Sequence, residues 1–191
     1  MAKRALQIIL GIGFVVFFGW RWQADTRQEI IDDYMNHARQ YGPTASPEAI
    51  RRVTIPYASQ LHTLRTNKDF RRCVNYIRGV GGYSKPVDTR ANEDFRLALL
   101  ALSRPENQQA GAKLDKEKAR EIRTEIWRLV MNRNQLPDDL SLLGEISRAS
   151  TPENERLLCL LGDDVFQYLL ALGNSPEATA VGRLWLSSLG R

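Results

Sequence analysis

Residues 151–186 read TPENERLLCLLGDDVFQYLLALGNSPEATAVGRLWL, and the way this stretch divides decides the fold. Thr151-Pro152-Glu153 and Ser175-Pro176-Glu177 each place a hydroxyl ahead of a proline and an acid, and Ser46-Pro47-Glu48 repeats the arrangement. The hydroxyl accepts an amide hydrogen that a helix start leaves unpaired, proline lacks that amide, and the carboxylate meets the positive end of the helix dipole. Three helix starts are thereby fixed. Gly162 and Gly173 read as turns, so the stretch divides into short helices at 152–161, 163–173 and 176–189, paired as antiparallel hairpins. Asp163, Asp164 and Gln167 make this apolar half unsuited to the lipid interior.

The same reading carried outward gives helices at about 47–55, 57–66, 68–79, 89–103, 113–134 and 138–149, with Gly and Pro at the joints. In the 113–134 segment Ile122, Ile126, Leu129 and Val130 share a face. Asp115/Lys118, Glu117/Arg120 and Glu125/Arg128 are spaced for ion pairs on the remainder. No alternating run long enough for a strand stands out, and the capped starts at 151 and 175 do not fit a helical-repeat period. The expected fold class is all-α: an N-terminal transmembrane helix continuing into a stalk helix, then a compact multi-helix domain of short helical hairpins.

The anchor is read from Ala5 to Trp20, which holds one polar side chain, Gln7, and no charge. As a helix these residues span about 24 Å, and with Arg21 and Trp22 about 27 Å, close to the roughly 30 Å hydrocarbon layer. Lys3 and Arg4 flank one end and Trp20, Arg21 and Trp22 the other, as at a membrane interface. A cleaved signal is disfavoured because Ala24 has Trp22, not a small residue, two places earlier. The lack of acids before Asp25 suits a mitochondrial presequence, but the continuous apolar run does not. Ile31, Tyr34, Ala38 and Tyr41 then recur at helical spacing until Gly42-Pro43. The expected layout is a basic tail at 1–4, an anchor at 5–22, a stalk at 23–43 and a domain at 44–191, basic over 44–87 and helical-hairpin over 88–191. The short basic tail favours a cytoplasmic N-terminus and an extracytoplasmic domain, in a bacterial inner membrane.

A chain of 191 residues, 43% apolar and 26% charged, can bury a core without staples. Its net charge of +5 is carried by the first half, and arginine outnumbers lysine 21 to 6. Residues 51–86 hold eight bases and one acid, Asp69, interleaved with Tyr57, Phe70, Tyr76 and Tyr83. Guanidinium groups beside aromatic rings suit phosphates or acidic partners. The candidate contact surface is therefore Arg51, Arg52, Tyr57, Arg65, Lys68, Arg71, Arg72, Tyr76, Arg78, Tyr83 and Lys85. The competing reading is a solvated face whose arginines pair with acids from 88–191.

Other features point to structure. GVGGYSKP at 79–86 lacks the spacing of a phosphate loop. Asp138-Asp139 and Asp163-Asp164 follow Pro137 and Gly162, where carboxylates serve helix starts, and Asp32-Asp33 is spaced no better for a shared ion. Cys73 and Cys159 form no CxxC, and their apolar neighbours favour buried small hydrophobes, with a single disulfide as the alternative in an oxidising compartment. His37 and His62 are the only histidines and neither lies in HExxH. No catalytic residue, metal ligand or cofactor is assigned.

This layout resembles the bitopic accessory subunits of bacterial envelope machines such as secretion, conjugation or pilus assemblies, a likeness of architecture that transfers no residue roles. The expectation is a membrane-anchored, non-enzymatic interaction or scaffold subunit of such a complex. Its partners would be other protein subunits, with lipid contacted through 5–22, while nucleic acid and small molecules are not expected. The alternatives are a tethered binder of an anionic ligand through 51–86 and a membrane-bound enzyme with a dispersed site.

Overall fold

A computed structural model of the chain describes residues 33–78, 89–148 and 151–189. The expected tail, anchor and first ten stalk residues, and the 79–86 loop, lie outside the described residues. Among those described, no helix is long and apolar enough to cross a membrane. Two compact units divide the chain after Asp33, and the fold reported is that of the second, Tyr34–Arg191.

That unit is all-α. After a helical stretch at 34–41, the described residues form α1 (Pro47–Thr66), α2 (Phe70–Ile77), α3 (Thr89–Ala101), α4 (Lys116–Arg133), α5 (Leu140–Arg148), α6 (Pro152–Ala171) and α7 (Pro176–Leu186), with single 3-10 turns at Gly42–Thr44 and Pro105–Asn107. No strand occurs among the described residues, only an isolated antiparallel bridge between Ala45 and Gln108. The three capped starts form as their sequence dictates. Ser46, Thr151 and Ser175 accept from the amides of Ala49, Asn154 and Ala178 at 3.2, 3.2 and 3.1 Å.

Two expected breaks do not occur. The joint at Pro56 is absent, because α1 runs through it with Val53, Thr54, Tyr57 and Ala58 buried on either side. Packing along that face outweighs the one hydrogen bond that proline removes. Gly162 likewise lies inside the continuous α6 and not at a turn. A Cβ there would stand 2.4 Å from Ile77 Cδ1, so the glycine marks the close approach of α6 to α2. Gly182 does the same between α7 and α1, where a Cβ would stand 2.2 Å from Ile50 Cγ2. Gly173 keeps its expected role as the turn between α6 and α7, at φ 62°.

α1 is the central helix, packed against α2, α3, α6 and α7. Its Tyr57 ring lies 4.8 Å from Tyr76 of α2, 5.5 Å from Phe95 of α3, 4.6 Å from Phe166 of α6 and 4.7 Å from Trp185 of α7. Each ring brings a large apolar area to one point, and the stacked Tyr76 pair and three tilted pairs at these separations add to the burial. A smaller cluster joins Val74 of α2 to Leu158 of α6, with Leu142 of α5 packed against it. On α4, Ile126 and Val130 are buried as expected, but Leu129 is 52% exposed and Ala119 and Met131 complete the inward face. Arg128 pairs with Asp138 at 3.3 Å across the α4–α5 connection, not with Glu125.

The lower part of the expected stalk belongs to the body of the domain. Met35 and Ala38 are buried, Tyr34 Oη accepts from Arg96 of α3 at 2.8 Å, and His37 Nε2 sits 3.1 Å from the Leu100 carbonyl oxygen. Hydrogen bonds to Glu93 and then Tyr34 hold the Arg96 guanidinium above its ordinary pKa.

Candidate functional site

The expected contact surface over 51–86 divides into three groups. Tyr57 and Tyr76 are 1% and 2% exposed, so they are core residues and present no surface. Interleaving with arginines in the sequence does not reveal that these two rings turn inward. A second group is turned toward partners within the fold. Arg51 Nη1 donates to the Leu170 carbonyl at 3.3 Å, Arg72 pairs with Asp69 at 3.3 Å, and Arg65 reaches two carboxylates on α6. The third group is exposed: Arg52, which pairs with Glu48, together with Lys68, Arg71 and Arg78. Tyr83 and Lys85 lie outside the described residues.

The densest assembly of ionisable groups forms around Arg65. The spacing of His62 and Arg65 on α1 turns both toward Asp163-Asp164 in the middle of α6. Asp163 has no exposed surface. Its Oδ2 accepts from Arg65 Nη1 at 3.0 Å and lies 3.1 Å from His62 Nδ1, while Oδ1 accepts from Gln167 Nε2 at 3.2 Å. Asp164 accepts from Arg65 Nη1 at 2.6 Å and from Asn134 Nδ2, beyond the end of α4, at 2.8 Å. Burial alone would push the Arg65 guanidinium down, but hydrogen bonds to Asp164 and Asp163 outweigh it and hold the group above its usual pKa.

The two aspartates thus do not serve a helix start, as their place after Gly162 suggested. They are mid-helix anions compensated across the fold by a basic-region arginine, which is the competing sequence reading realised at Arg65. The visible signal was a charged pair interrupting an apolar run; the missing information was that α6 does not stop at Gly162.

Chemically the assembly is a tie. A buried carboxylate needs both a counter-charge and filled lone pairs, and here Arg65, His62 and Gln167 supply them from two helices. The imidazole is oriented by Asp163 while the His62 side chain stays 62% exposed. Among the described residues, no three His, Cys, Asp or Glu side chains converge in a way that could hold a metal.

Cys73 of α2 and Cys159 of α6 are bonded to each other, with no exposed surface on either and a sequence separation of 86. The expectation of two buried thiols is corrected: both sulfurs are buried among apolar neighbours, but the faces of α2 and α6 that carry them meet close to the Gly162 approach and the two are joined. No family model, curated protein or solved structure matches this chain.

Proposed function

We propose that this chain is a single-pass, membrane-anchored, non-enzymatic interaction subunit of a larger complex, with its helical domain on the extracytoplasmic face of a bacterial inner membrane. The observation that carries the reading is the buried Cys73–Cys159 bond. Such bonds persist in oxidising compartments, and the uncharged run at 5–20 supplies the means of holding a domain there. Packing of 34–41 against α3 supports it further, because only residues 23–33 separate the apolar stretch from the folded body. Confinement near the bilayer raises the effective concentration of the domain for neighbouring subunits. The reading as an anionic-polymer binder through 51–86 has less support, since Arg51, Arg65 and Arg72 have partners within the domain.

The test is fractionation of the native cells, with thiols alkylated at lysis. The protein should stay in the membrane pellet through alkaline carbonate, expose both thiols only after reduction and denaturation, and migrate in mild detergent as a particle larger than the monomer. Recovery as a soluble monomer, or two thiols free at the moment of lysis, would refute the proposal.

A further inference from the structure

Arg183 lies on α7 with only 9% of its surface exposed. A guanidinium taken out of water needs a counter-charge, because the desolvation of an ion is not offset by neutral contacts alone. The two charged side chains buried among the described residues differ sharply in this respect. Asp163 has the Arg65 guanidinium as counter-charge, whereas Arg183 donates from Nε to the Ala45 carbonyl at 3.0 Å and from Nη2 to the Gln109 amide oxygen at 2.6 Å. Both acceptors are neutral. Among the described residues no carboxylate pairs with Arg183 and no acceptor is seen for Nη1. Burial accordingly pushes its pKa down.

Arg183 also lines a cleft of about 310 Å³ between the start of α4 and the starts of α1 and α7. That volume is at the lower end of small-molecule sites, which span about 300–1,000 Å³. Lys113 and Lys118 add two further cations to the lining, and Asp115 is its one carboxylate. Asp115 is already engaged as the α4 cap, accepting from the Lys118 amide at 3.0 Å. At the rim, Glu48 accepts from the Asn174 amide at 3.3 Å and pairs with Arg52, so it too is engaged away from Arg183. The helix starts marked by Pro47 and Pro176 in the lining carry the first-turn acids Glu48 and Glu177, which meet their dipoles, so the positive character of the cleft rests on Arg183, Lys113 and Lys118.

We propose that this cleft binds a small molecule through an oxyanion, a phosphate or a carboxylate, which pairs with the Nη1 side of Arg183 and is flanked by Lys113 and Lys118. The site departs from the sequence expectation that small molecules are not partners, and it goes beyond the interaction-subunit reading without depending on membrane attachment. The planar guanidinium, fixed by Ala45 and Gln109, gives the anion a directed donor where a lysine would give only a point charge.

The experiment follows thermal unfolding of the full chain in a nonionic detergent, titrated separately with inorganic phosphate and with succinate at constant ionic strength set by sodium chloride. A saturable rise of the melting temperature with either anion is expected, and the anion with the lower midpoint identifies the source chemistry. Lys113→Ala/Lys118→Ala, at exposed positions, should raise that midpoint about tenfold. Arg183→Lys, if it melts cooperatively, should do the same; if it does not fold, the lysine pair decides. A rise that merely follows ionic strength, no response to either anion, or a midpoint unmoved by the lysine substitutions overturns the proposal.

Discussion

Replacing Cys73 and Cys159 together by alanine opens a loop closed across 86 residues of sequence. In the chain-entropy account, a crosslink of that span restricts the unfolded chain by about 4.6 kcal/mol near room temperature. A domain of this size has about 5–15 kcal/mol of stability in all, so the tie supplies a large share of it. With a urea slope of about 2 kcal/mol per molar, the unfolding midpoint should fall by roughly 2 M. Since neither cysteine has exposed surface, the oxidised protein should also resist reductant under native conditions and yield to it once partly unfolded. The assay is urea unfolding of the full chain in nonionic detergent, followed by far-ultraviolet circular dichroism, for the oxidised, reduced and doubly substituted forms. Reduced and substituted forms should coincide. A substituted protein that unfolds at the same urea concentration as the oxidised one would refute the claim that the crosslink limits the unfolded chain.

Three further outcomes follow from the packing. Gly182→Ala should cost about 2–3 kcal/mol, the upper part of the overpacking range, because its Cβ meets the branched Cγ2 methyl of Ile50 at 2.2 Å. Gly162→Ala should cost only about 1 kcal/mol, since it meets the movable Cδ1 end of Ile77 at 2.4 Å; urea midpoints of the two variants check the order. Tyr57→Ala should cost about 4 kcal/mol and Tyr57→Phe, which removes the bond to the Tyr76 carbonyl, about 1 kcal/mol. A surface residue would show neither loss in a melt. Arg65→Gln should cost about 3 kcal/mol, the low end for a broken buried pair because the Arg65 side chain is 34% exposed. Adding Asp163→Asn should recover part of that loss in a double-mutant cycle.

The sequence was most legible where a single turn of chain determines its own structure. The Ser46, Thr151 and Ser175 caps need only three neighbouring residues, and all three form. It was least legible where distant helices decide. Gly162 and Pro56 carry local stop signals, yet α6 and α1 continue through them because buried faces on either side reward an unbroken helix. The basic surface was overestimated for the same reason: charge composition does not reveal that Asp163 and Asp164 face Arg65, or that Tyr57 and Tyr76 turn inward. Arg183 gave only a faint sign, a lone guanidinium within an otherwise apolar face of α7, and its cleft requires segments far apart in sequence.

The ring cluster at Tyr57 also sets an order on biosynthesis. Tyr57 is made early, but the aromatic groups that close over it arrive with Phe95, Phe166 and finally Trp185. Until α7 is in place the central helix therefore lacks the ring that covers Tyr57 from that side. A chain cut before Trp185 loses its contacts with Tyr57 and Phe166 and leaves that part of the ring cluster facing water.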